Sequence, residues 1–256
     1  MSRTTDAIRT FVLELDLPEV QRGRDLESAR AADAPEFTAA RQVVTVGAQL
    51  AEFSDSVPVN LRQLISNSML LAQLAANKAT SASSDIFDWH RNYSAVLGNI
   101  GWRAHDSEEQ VQRVSNENLS VHKSIIPVLT ALLGPAVAAA SMVVSVLEGL
   151  DNMETGTPWI TLFDRSSQHA SGAKFQIGYI DTDEHGEPAI KLLAVGVKAQ
   201  ATITQVLFFK FSSQQAQLSR RTSLFGTTAE RLNADKDVIA GRVQSFIADF
   251  VKNVEI

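Results

Sequence analysis

The sequence predicts an α+β fold, an antiparallel β-sheet wrapped by α-helical hairpins, and three observations predict it. Residues 58–79 carry Leu61, Leu64, Ile65, Met69, Leu71 and Leu74 at roughly helical spacing. The stretch Ser124–Leu147 holds no charged residue and is broken at Gly134-Pro135. From Thr157 onward the apolar period shortens towards two, until an amphipathic helix closes the chain. Helices followed by a strand meander and a last helix make the pattern of a sheet that helices must cover.

The elements follow in order. Thr10–Leu17 alternates Phe11, Leu13, Leu15 and Leu17 with Val12, Glu14 and Asp16, which predicts a short strand before Pro18. Residues 23–34 suit a linker or an exposed helix. Residues 36–53 and 58–79 predict two amphipathic helices, the second with Pro58 in its first turn behind Ser56. Thr80–Ser84 is a polar loop. In residues 86–104, aromatic residues and two glycines favour strand or irregular structure, and residues 107–118 are polar and helix-compatible.

The charge-free stretch 124–147 is long enough to cross a bilayer. Gly suits the position after a helix end and Pro the first turn of the next helix, so Gly134-Pro135 predicts two short helices buried as a hairpin rather than one permanent span. Beyond it, Pro158–Phe163, Lys174–Ile180, Ala189–Val197 and Ala201–Phe211 predict strands, with Gln217–Phe225 as a fifth. The acidic cluster between the second and third is a turn ending in Pro188. Only Lys198-Ala199-Gln200 separates the third from the fourth, which predicts a tight hairpin or a bend. Asp235–Val251 predicts the terminal helix, with Val238, Ile239, Val243, Phe246, Ile247 and Phe250 on one face. The expected organisation is one domain over 1–256, helical over about 1–152 and a sheet with its terminal helix over about 157–256.

Composition narrows the function classes. The net charge of −6 argues against nucleic acid, whose binding needs a basic face. Residues 1–118 carry 11 Lys/Arg against 16 Asp/Glu and residues 119–256 carry 12 against 13, so the second part is close to neutral. The absence of cysteine removes disulfides, thiolate metal sites and cysteine nucleophiles. The first residues lack the apolar run of a classical signal peptide, so the expectation is export or release by another route. No catalytic motif is present, and the five histidines (His90, His105, His122, His169 and His185) show no metal-ligand spacing. Asp181–Glu187 resembles a cation loop only in being acidic, lacks the closing residue of an EF-hand, and is explained by a solvated turn. Asp88-Trp89-His90-Arg91 is no triad, because sequence neighbours do not share one face of a strand. The expectation is a protein that is not an enzyme and holds no metal.

The run VLTALLGPAVAAASMVVSVLEGLDNMETGTPWITLFDRSSQ, then KFQIGYI, an acidic turn, AVGVKAQATITQVLFFKFSS and a terminal helix resemble the cytolytic (Cyt-type) delta-endotoxins. The matching residues are Trp159-Ile160, which that family places on a strand, Val195-Gly196-Val197, and Val206-Leu207-Phe208-Phe209. The resemblance covers about residues 119–256 and extends to the cardiotoxin volvatoxin and the Evf-type virulence factors, which look like relatives of the same fold. It implies a Cyt-like cytolysin fold that binds phospholipid, rearranges, self-associates on the membrane and permeabilises it. Evf-type proteins carry a palmitoyl group on a cysteine, which this chain cannot; a non-covalently bound fatty acid is the cofactor that stays open.

The residues expected at lipid fall in two groups. Ile126, Leu129, Leu133, Val137 and Val144 belong to the helical hairpin that covers the sheet. Ile203, Val206, Phe208, Phe209 and Phe211 belong to the most apolar predicted strand, either buried centrally on both faces or entering lipid once helices move away. Small residues such as Ala136, Ala138, Ala139, Ala140 and Ser141 suit close helix packing in a bilayer. The rival readings are a lipid or fatty-acid binding protein of the same fold, and an α+β interaction protein with no membrane role.

Overall fold

The computed structural model describes residues 5–19, 36–80, 85–113, 119–169, 172–199, 203–211 and 217–254. The expectation for residues 23–34 and parts of those for 80–84, 107–118 and 201–211 lie outside these. The fold is α+β: one mixed sheet, covered on both faces by helices.

The strands are β1 (Gln42–Val46), β2 (Gln49–Phe53), β3 (Arg103–Arg113), β4 (Gln168–His169), β5 (Gly172–Thr182), β6 (Pro188–Lys198), β7 (Gln217–Gly226) and β8 (Val251–Asn253). They lie in the order β3-β7-β6-β5-β2-β1-β8, with β4 beside β5. All these pairings are antiparallel except β2 with β5. Strands from residues 42–53 and 103–113 therefore join those from beyond residue 157, and the anticipated helical part up to about residue 152 contributes three of them.

Alternation along the strands sends side chains to two cores. Ile190, Leu192 and Ala194 of β6 point to one, Leu193, Val195 and Val197 to the other. The first core lies under α1 (Thr5–Glu14), α2 (Val59–Ala79), α3 (Ile86–Asn99), α8 (Ala229–Ala234) and α9 (Lys236–Phe250). The second lies under α4 (Val121–Leu133), α5 (Pro135–Ala140), α6 (Met142–Gly149) and α7 (Pro158–Ser167).

Helix α2, strands β5, β6 and β7 and helix α9 stand where the sequence predicts them. Six expectations are corrected. Residues 5–14 form a helix and not a strand: Ile8 and Val12, four apart, are buried, whereas Leu13 is 55% exposed, so the apparent alternation was not a burial pattern. Residues 42–53 form a hairpin and not a helix. Gly47 turns it at a φ of +56°, and the α2 residue Gln73 plugs the turn, accepting from Ala48 N at 3.0 Å and donating to Val46 O at 2.6 Å.

Residues 86–99 form a helix and not a strand, begun by Asp85, whose side chain accepts from Asp88 N at 2.9 Å. Residues 107–113 belong to strand β3 and not to a helix, paired along β7, with Glu109 bound to Arg221. Residues 158–167 form helix α7 rather than starting the meander. Pro158 sits in the first turn, and Trp159, Ile160, Phe163 and Ser167 fall inward at helical spacing.

The fourth predicted strand, over residues 201–211, is also corrected. Residues 203–211 form an irregular strap, and β6 pairs with β5 and β7 rather than with this segment; residue 200 of the expected hairpin or bend lies outside the described residues. The strap's backbone is taken up by the start of α4: Val121 N donates to Phe209 O at 2.9 Å, His122 N to Leu207 O at 3.0 Å, and Phe211 N to Leu119 O at 3.0 Å. Two of these are first-turn N–H groups that a helix leaves without internal partners, so the strap caps α4 where a side chain ordinarily would.

Candidate functional site

The charge-free segment folds as a broken helical layer. Helix α4 ends at Gly134, whose φ of +83° is open to glycine, and Pro135 starts α5 in its first turn, as the sequence predicts. A second break was not anticipated. It falls at Ser141, whose side chain accepts from Val144 N and so caps α6. Pro127 lies inside α4 on the exposed side.

Both surfaces of the layer are uncharged. Val121, Ile125, Leu129, Leu133, Ala138, Val143, Val144, Val146 and Leu147 are buried against the sheet. Pro127, Ala131, Pro135, Ala136, Ala139, Ala140 and Ser145 face outward and are exposed. Ordinary surface helices put charge on that side. The nearest flanking charges are Lys123 and Glu148, just beyond the segment's two ends.

All ten residues singled out from the sequence meet in this second core. Leu129, Leu133, Val144, Ile203, Val206 and Phe211 are buried in it, and Ile126, Val137, Phe208 and Phe209 pack against it half-buried. Ile203, Val206, Phe208, Phe209 and Phe211 sit on the strap rather than on a strand. Asp164 of α7 accepts from Val206 N at 2.8 Å, and burial pushes its carboxyl up to about 6 against that bond's opposing pull. His122 holds the next residue of the strap, donating its Nδ1 hydrogen to Leu207 O at 2.8 Å.

The residue that sequence reasoning missed is Glu52. It stands on β2 with no exposed surface and reaches into the joint between α5 and α6. Its carboxylate accepts from Met142 N at 3.0 Å, from Val143 N at 2.9 Å and from the Ser141 hydroxyl. Arg41 lies 3.8 Å from Glu52 and also binds Ala140 O. Lys191 of β6 reaches Leu133 O at 3.3 Å, beside the other break. The charged ties between sheet and layer thus fall at the breaks. Nothing in the local sequence signals them, since Glu52 and Ser141 are far apart along the chain.

Two serine–histidine contacts resemble a nucleophile and its base. His90 lies 3.0 Å from Ser223, and His122 lies 3.3 Å from Ser120. All four residues are buried. Burial, with Arg221 adding to it, lowers His90 to about 3, where it is a poor base at neutral pH. The acidic turn is a hairpin tip in which Asp183 accepts from His185 N and Glu187 N. Among the described residues no group of three or more metal-ligating side chains is gathered, and no helix is long and apolar enough to cross a membrane.

No family model and no curated protein matches the chain. Solved structures do. A delta-endotoxin is similar over 83% of this chain and 91% of its own, with 14% sequence identity and a TM-score of 0.44. The structure of the Evf virulence factor is similar over 97% of this chain and 91% of its own, with 13% identity and a TM-score of 0.34.

Proposed function

We propose that this protein is a non-enzymatic, membrane-permeabilising protein that binds lipid through the α4–α6 layer and rearranges from a water-soluble form, self-associating on a target membrane. The observation that carries the reading is that residues 124–147 of the layer, between Lys123 near the start of α4 and Glu148 near the end of α6, are uncharged on both their buried and their exposed surface. The outer face there is alanine and proline, exposed apart from Arg41 on the Ala140 carbonyl, and contiguous apolar surface is the kind that contacts a protein or a membrane. Helix α4, with 13 residues, is roughly 20 Å long. That falls short of a hydrocarbon core of about 30 Å. The layer must therefore straighten across its breaks or lie along the interface. Either movement uncovers the sheet face of Phe175, Ile177, Leu193 and Val195 to lipid or to a second copy.

The test is release of a trapped dye from zwitterionic and anionic liposomes, with and without limited proteolysis. Release at low protein-to-lipid ratio is expected. A disulfide engineered between α6 and β2, unambiguous in a chain without cysteine, should abolish release until it is reduced. Absence of release from every liposome would overturn the reading. An acyl chain in an organic extract of the same inactive protein would make it a fatty-acid carrier instead.

A further inference from the structure

We infer that Glu52 is the latch of the α4–α6 layer, and that the layer opens first at the joint between α5 and α6. The inference rests on the membrane reading for its purpose but on geometry for its substance. Elsewhere in the layer, apart from the single bond of Lys191 to Leu133 O at the other break, contact with the sheet is apolar, non-directional and spread over many side chains. At the joint it is concentrated in one carboxylate that takes three donors, two of them the leading amides of α6. Those amides have no partner within the helix, and an anion is what their alignment favours.

The surroundings make the carboxylate hard to replace. The side chain is fully buried, so no water stands ready to take up the amides if it withdraws. Arg41 ties the same point from outside: it faces Glu52, binds Ala140 O, and also lies 3.8 Å from the exposed Asp55. A glutamine in place of Glu52 keeps the shape. It offers one acceptor oxygen, and its NH2 group is set against donors. The joint would then lose at least one charge-assisted bond while the apolar packing stays the same.

Opening at the joint swings two pieces apart. Helix α6 continues into residues 150–152 and is held by Leu147 and Leu150. Helix α5 is held by Ala138, its buried residue, by half-buried Val137 and by Arg41 on the Ala140 carbonyl, with fewer buried side chains than α4 or α6. Once the latch is free, α5 is the part with least to lose by leaving, and its exposed alanines meet the lipid first.

The experiment is hydrogen exchange of the full chain without lipid, comparing the wild type with Glu52→Gln and with the milder Ser141→Ala, followed by dye release with the same proteins. In Glu52→Gln the amides of residues 135–147 should exchange at least about tenfold faster, the effect of losing one hydrogen bond to a charged group. Amides of α2 and α3 should be unchanged, and dye release should reach half its maximum at a lower protein concentration. Ser141→Ala should give a smaller change in the same place, and it decides the matter if Glu52→Gln does not fold. Unchanged exchange over residues 135–147, or an equal rise in α2 and α3, would overturn the latch. Faster exchange confined to residues 135–147 with no dye released by any of the three proteins would uphold the latch and remove the membrane reading.

Discussion

The two helical layers cover the same sheet by different means. Under α2 and α3 the core is stitched with polar side chains. His90 meets Ser223 and Gln176, Tyr93 donates to Gln49, and Gln73 holds the β1–β2 turn. Arg62, fully buried, donates to the carbonyls of Val57, Ala40, Ala39 and Ser54. Under α4–α6 the core is apolar, and charged ties appear at the helix breaks. Directional bonds in a buried setting specify one arrangement and are costly to leave unmade. Apolar contacts can be exchanged for lipid at little cost. On the membrane reading proposed above, the first layer is the one that stays and the second the one that leaves.

The largest effect that tests this contrast is the response of the polar layer to acid. Burial holds His90 at about 3, below its ordinary 6.5. A depressed value means that the unfolded chain takes up the proton first. The contribution of neutral His90 is thus complete above pH 6.5 and is lost as pH falls towards 3. The loss relative to neutral pH is about 2 kcal/mol at pH 5 and as much as roughly 5 kcal/mol by pH 3. Urea unfolding of the wild type and His90→Gln across pH 4–7.5 should show curves that converge on acidification. Parallel curves would mean that the α3 histidine does not set the acid response.

The strap under the second layer should answer with the opposite sign. Asp164 is raised to about 6 by burial, so its contribution is complete below its ordinary 3.8 and is lost as pH rises through 6. Asp164→Asn keeps an oxygen for Val206 N and removes the charge. It should stabilise the protein by roughly 2 kcal/mol at pH 7.5 and by nothing measurable at pH 3.5. A gain that is equal at both pH values would trace to packing instead.

These differences also explain what could be seen in the sequence. The charge-free run and its Gly134-Pro135 break are local features, so they were visible, as were the long period-two runs of β5 and β6. The ten apolar residues singled out lie in or against the second core, since apolar composition needs no partner to be recognised. Elements decided by distant partners were misjudged. Residues 42–46 become a strand beside β8, from the far end of the chain, and the apolar strap resembles a strand but spends its backbone on α4. Trp159-Ile160 looks β-like until the proline before it is taken as a helix start. Glu52 was invisible for the same reason: a carboxylate in a short apolar strand carries no sign of the helix end it will meet.

The smallest effect on stability gives the sharpest separation of folding from function. Ala136 and Ala139 lie on the exposed side of α5, outside the core. Ala136→Lys and Ala139→Lys should change folding stability by no more than about 0.5 kcal/mol, since exposed positions of this kind tolerate substitution. In lipid the same lysines meet a very different solvent, where a charge near the middle of the hydrocarbon costs about 2.5–3.5 kcal/mol. The doubly substituted protein should melt as the wild type does and yet need at least about tenfold more protein for the same dye release. Undiminished release from that protein would show that the outer face of α5 never enters lipid, and the part in contact would then have to be sought in the sheet that the layer uncovers.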